Sequence, residues 1–160
     1  MISIQKAFQN LNEEDFKFLL DTPIWLSLMA AYTADGKVSK HEKAEAVKLA
    51  HLRTFTAAKS LREYYAKVED HFAERFDKLD SRLPKDEHDR DLYLRTQLKR
   101  LPEVLKKLDS DIMQSMEESL ESFYEHIFKA DVSFFQYFAL PIISNRLDKS
   151  SKFDIDEDLK

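Results

Sequence analysis

The 160-residue chain has no cysteine and a single glycine, Gly36. Without cysteine there can be no disulfide, thiolate chemistry or zinc ribbon, and a reducing compartment is compatible. With one glycine there is no supply for tight β-hairpins, nor for the several glycines of a Rossmann or P-loop phosphate cradle. Four prolines are too few to divide the chain into linkers. No apolar run approaches a bilayer span, for the longest, Phe134 to Ile143, reaches only about half of that length. The first eleven residues carry no basic stretch followed by an apolar one, so no signal peptide is expected. A net charge of −5 disfavours nucleic acid, whose phosphates select a basic face. What remains is an all-α cytoplasmic protein.

Hydrophobic residues make up 43% of the chain, enough for a full core. The helix signals come in order along it. Asn12 is placed to cap a helix whose first turn, Glu13-Glu14-Asp15, suits the positive end of the helix dipole. Leu11 and Phe16 occupy the two positions of a hydrophobic staple. Thr22-Pro23 reads as a fresh start, with threonine as cap and proline at the first helical position. From Ile24 to Tyr32 the helix is apolar nearly all round, which predicts a central, buried element.

Asp35-Gly36 ends that helix, glycine supplying the left-handed residue that follows many helices. Ser39-Lys40-His41-Glu42 then has the form of a capping box, and Ser60 to Glu63 repeats it. Leu61, Tyr64, Tyr65, Val68, Phe72, Phe76 and Leu79 make one stripe at helical spacing. Leu94, Leu98, Leu101, Leu105 and Leu108 make a second, broken from the first at Pro84, with Pro102 read as a kink inside it. Between Lys59 and Asp109 there are 13 basic and 12 acidic residues, interleaved as on the solvated faces of a helical hairpin. Asp109-Ser110 caps a helix bearing Met113, Met116, Leu120, Phe123 and Ile127. A last apolar helix from Phe134 to about Leu147 is expected to pair with Ile24–Tyr32 in the core. The expectation is a single compact bundle of about six to eight helices over residues 1–150, with an acidic tail, 151–160, that frays.

No catalytic constellation accompanies this pattern. There is no Gly-x-Ser-x-Gly elbow, and none of the five histidines has a glutamate three positions before it, as a di-iron bundle requires. His41-Glu42 fails the His-Glu-x-x-His motif because Glu45 stands where the second histidine belongs. His88-Asp89 lies in a charged helix start, where acids serve the dipole. The one acidic turn of interest joins Asp35, Gly36, Ser39 and Glu42. Clustered oxygen ligands suit a divalent cation, with Asp35 and Glu42 as its candidate ligands. The same residues also make a complete helix junction without an ion, Gly36 and Ser39 being its structural members.

The run Trp25 to Glu42, followed by Ala44 to Leu49, resembles the TerB-like family of tellurite resistance proteins. Its hallmark positions are Ala34, Asp35, Gly36, Val38 and Glu42. The resemblance implies a compact all-helical domain of two similar halves and a role in tellurite resistance or stress response. It also implies action through protein partners and divalent metal at acidic turns. In the second half Ala130-Asp131 matches Ala34-Asp35, but Val132 replaces the glycine and Phe138 stands where a second glutamate would. Two alternatives stand beside this reading. One is a metal-dependent enzyme whose site gathers His41, Glu45, His126 and Asp131. The other is a ligand-free helical module that forms a homodimer through the exposed part of Phe134–Ile143.

Overall fold

The computed structural model describes residues 4–128. Among them lie eight α-helical segments, one 3₁₀ turn and no strand: α1 (Ile4–Ala7), α2 (Glu13–Asp35), α3 (Lys40–Thr56), the 3₁₀ turn (Lys59–Leu61), α4 (Arg62–Asp70), α5 (Phe72–Ser81), α6 (Glu87–Leu98), α7 (Leu101–Leu105) and α8 (Ser110–Phe128). Six of these are nine residues or longer, and the protein is an all-α helical bundle. No described helix is long and apolar enough to cross a membrane. The expected helix over 134–147, the acidic tail and the Ala130-Asp131 counterpart of the first turn lie outside the described residues.

Helix α2 is the axis of the fold and packs against α3, α4, α5, α6, α7 and α8. Every residue from Asp21 to Ala31 is buried, as its apolar circumference requires. Asn12 caps it, its side-chain oxygen accepting from the Asp15 amide at 2.7 Å. The helix does not restart at Thr22-Pro23, however. It runs unbroken through Pro23. An interior proline removes the amide that would bond to the carbonyl four residues back, at a cost of ~3 kcal/mol or more. Here that carbonyl, on Leu19, accepts instead from the hydroxyl of Tyr64 on α4, at 2.6 Å. Thr22 is no cap either, since its hydroxyl donates back to Phe18 O at 2.9 Å within the same helix. The proline is accommodated by a side chain 45 positions along the chain from the carbonyl it leaves free.

The two apolar stripes are buried as their spacing predicts, but each spans two helices. Leu61, Tyr64, Tyr65, Val68, Phe72, Phe76 and Leu79 all lie in the core. The backbone turns at His71 (φ −130°, ψ 22°), which divides α4 from α5 without losing the stripe's phase. Ser60 does not cap α4, because it already lies within the 3₁₀ turn and no side chain caps that helix. Pro102 is not a kink inside a long helix. It sits in the first turn of α7, after α6 has ended at Leu98, where a missing amide costs nothing. Helix α8 sets Met116, Leu120, Phe123 and Tyr124 against the core.

Ion pairs tie the peripheral helices to this axis. Arg75 of α5 grips Asp21 of α2 through two bonds, 2.6 and 3.2 Å, and Lys107 reaches Asp15 at 2.5 Å. Both aspartates are nearly buried, so removing either cation would strand a desolvated carboxylate.

Candidate functional site

The junction between α2 and α3 takes the form its residues dictate. Gly36 adopts φ 73°, and its amide donates to Tyr32 O at 2.9 Å, closing the last turn of α2. A Cβ added there would meet nothing within 4 Å, so glycine is needed for the backbone angle and not for space. Three residues on, Ser39 and Glu42 form the complete capping box. The Glu42 amide donates to Ser39 Oγ, and the Ser39 amide donates to Glu42 Oε1, each at 3.0 Å. One carboxylate oxygen of Glu42 is therefore committed to the helix start. Asp35 is the last residue of α2, and its side chain lies outside the described residues.

A second device braces this junction from α6. The Arg90 guanidinium stands 4.1 Å from the centre of the Tyr32 ring and donates to Gly36 O at 3.3 Å. The Tyr32 hydroxyl in turn donates to Asp80 Oδ1 at 2.5 Å. Partial burial, reinforced by that bond to Asp80, pushes the Tyr32 phenol up to about 12. No local signal in the sequence announces Arg90 or Asp80, which lie 54 and 48 positions from their partners.

Beside the junction lies a cavity of about 280 Å³. Ser27, Ala30 and Ala31 of α2 line it, small side chains on the most deeply buried helix. Leu49 and Leu52 of α3, Phe76 of α5 and Ile127 of α8 add apolar surface. His41, Glu42, Glu45, Lys48 and His126 supply its polar lining. Three of the four residues proposed for a metal-dependent enzyme thus share one cavity, while Asp131 lies outside the described residues. His41 and Glu45 approach each other to 3.9 Å, both well exposed. Among the described residues, no three histidines or acids come together closely enough to hold a metal ion.

Helix α3 is unusual beyond the cavity as well. Of its seventeen residues only Ala46, Leu49 and Ala50 are buried. Leu52 is 44% exposed and Phe55 63% exposed, two large apolar side chains one turn apart on the outer surface. Next to them, His51 pairs with Glu69 of α4, and Phe55 meets the His51 ring edge-on at 5.3 Å. The bond from His51, followed by one from Thr54, holds the Glu69 carboxyl below its usual range. Leu52 and Phe55 were not singled out by the sequence, where they look like ordinary members of an amphipathic helix.

The remaining perturbed groups are structural. Burial pushes Tyr65 up to about 12, against the opposing pull of Ser119 and Arg53. Burial likewise raises Tyr64 and Tyr124. Tyr64 and Tyr65 spend their hydroxyls on helix-to-helix bonds, to Leu19 O and Ser119 Oγ. Compared with protein-family models, curated proteins and solved structures, the chain finds no match.

Proposed function

We propose that this chain is a noncatalytic, cytoplasmic interaction module of the TerB-like kind, serving tellurite resistance or stress response by binding a partner protein. The observation that carries this reading is the outward side of α3. Leu52 and Phe55 stay in solvent beside a cavity with apolar walls, although the chain has a core that could take them. A lining that pairs apolar side chains from α2, α3, α5 and α8 with charged and histidine ones from α3 and α8 suits an aromatic or aliphatic anchor flanked by polar groups on another polypeptide. The acidic junction holds this side of α3 in place: Gly36 and the Ser39–Glu42 box fix where the helix starts. Every perturbed titration described above is explained by packing or pairing, which favours binding over catalysis.

Photo-crosslinking tests the proposal. A photoreactive residue at position 55 should trap a discrete protein adduct in intact cells under tellurite stress, and Leu52→Glu should abolish that adduct. No adduct, or one indifferent to Leu52→Glu, would contradict it.

A second reading rests on His41, Glu45 and His126 lining one cavity. Under it a divalent cation draws these side chains together, since no three of the described acids and histidines stand close enough to hold one as they are. The acidic turn of Asp35 and Glu42 is the other candidate site. Calorimetric titration of chelator-treated protein with calcium, magnesium, manganese and zinc decides the point. Saturable binding lost in Asp35→Asn and Glu42→Gln would make the junction a metal site. Binding lost in His41→Ala and His126→Ala would place the metal in the cavity.

A further inference from the structure

Helices α2, α4 and α5 line another cavity, of about 350 Å³, which shares no lining residue with the one beside the junction. The sequence sets its residues on common faces. Lys17, Leu20, Asp21 and Ile24 are spaced so that they stand on one side of α2. Lys67 and Val68 come from α4, and Glu74, Arg75 and Lys78 from α5, with His71 at the turn between them. Leu20, Ile24 and Val68 make one wall apolar.

The charge around this cavity is opposite in sign to that of the chain. Lys17, Lys67, Arg75 and Lys78 stand against Asp21 and Glu74, a surplus of two positive charges in a chain of net charge −5. Asp21 is already neutralised, since each of its oxygens accepts a bond from Arg75. That pair fixes α5 against α2 and so sets the width of the cavity. Glu74 only approaches His71, at 3.8 Å, with both side chains largely in solvent. Lys17, Lys67 and Lys78 are exposed and have no ion-pair partner among the described residues. Free ammonium groups beside an apolar wall select a ligand that has both a negative group and an apolar body. The volume falls within the ~300–1,000 Å³ of small-molecule sites. It is roughly twice the ~150 Å³ that takes one benzene-sized group.

We propose that the cavity between α2, α4 and α5 binds a small amphiphilic anion, a carboxylate on an apolar chain or ring. Lys17, Lys67 and Lys78 take the carboxylate, and Leu20, Ile24 and Val68 take the apolar body. The site stands independently of α3 and of any protein partner.

Octanoate is the probe, titrated into the full-length protein and followed through the methyl signals of Leu20, Ile24 and Val68. These signals should shift saturably. Octanamide, which keeps the body and loses the charge, should bind roughly tenfold more weakly, and Lys67→Gln/Lys78→Gln should weaken octanoate roughly fivefold. Raising the ionic strength should weaken octanoate and leave octanamide unchanged. Glu74→Gln removes the acid that Arg75 does not neutralise, and it should tighten octanoate about twofold. Misfolding cannot imitate that gain. Absence of saturable shifts, or octanamide binding as tightly as octanoate, would overturn the proposal. Octanoate binding indifferent to both the lysine and the Glu74 substitutions would overturn it as well.

Discussion

Helices α2 and α3 are neighbours joined by four residues, yet they use their surfaces in opposite ways. Helix α2 buries eleven consecutive residues, and even its proline is compensated by a hydroxyl from another helix. Helix α3 buries three of seventeen and leaves Leu52 and Phe55 in solvent. Stability is concentrated in the first helix, while the second packs one narrow face, chiefly on α4, and turns the rest outward. The difference separates what the fold requires from what is free to serve another molecule.

Substitutions should reproduce this gradient. The steepest loss is expected for Leu26→Ala, a fully buried side chain on α2, at ~2–5 kcal/mol by denaturant unfolding. Tyr64→Phe should cost ~1–3 kcal/mol, because it strands the Leu19 carbonyl in the core. That cost should shrink in a Pro23→Ala background, where residue 23 regains an amide for the same carbonyl. A double-mutant cycle checks it. An unchanged cost would mean that Tyr64 does not compensate for the proline.

At the junction, Ser39→Ala should lose about 1 kcal/mol, the usual worth of an N-cap. Glu69→Gln should matter less and only away from acid. The folded carboxyl sits below its unfolded pKa, so its contribution is full above the unfolded value and fades as pH falls through the folded one. A stability–pH profile should lose a few tenths of a kcal/mol of acid sensitivity, as expected for a partly exposed pair. Smallest of all, Phe55→Ser should leave stability within ~0.5 kcal/mol of the parent. A large loss there would place Phe55 in the fold's own packing and erase the contrast between the two helices.

Local devices were legible in the sequence. The Asn12 cap, the left-handed Gly36, the Ser39–Glu42 box and the buried stripes each depend on residues within a few positions of one another. Misreadings arose where the deciding partner was distant or the pattern was ambiguous. Thr22-Pro23 is a fair helix start by local chemistry, and only Tyr64 makes it a helix interior. The stripe through Phe72 keeps its phase across the turn at His71, so periodicity alone joined α4 to α5. Ser60 fits the capping-box pattern, but a cap needs extended backbone and Ser60 lies in a 3₁₀ turn. The cavity was not legible at all, because four different helices line it.

The most direct test of the central claim is to make Leu52→Ser/Phe55→Ser and measure unfolding and tellurite tolerance of the host cell side by side. Unfolding close to the parent's with tolerance lost is the outcome expected of a helix face kept for a partner. A marked fall in stability, or full tolerance in a normally folded variant, would contradict it.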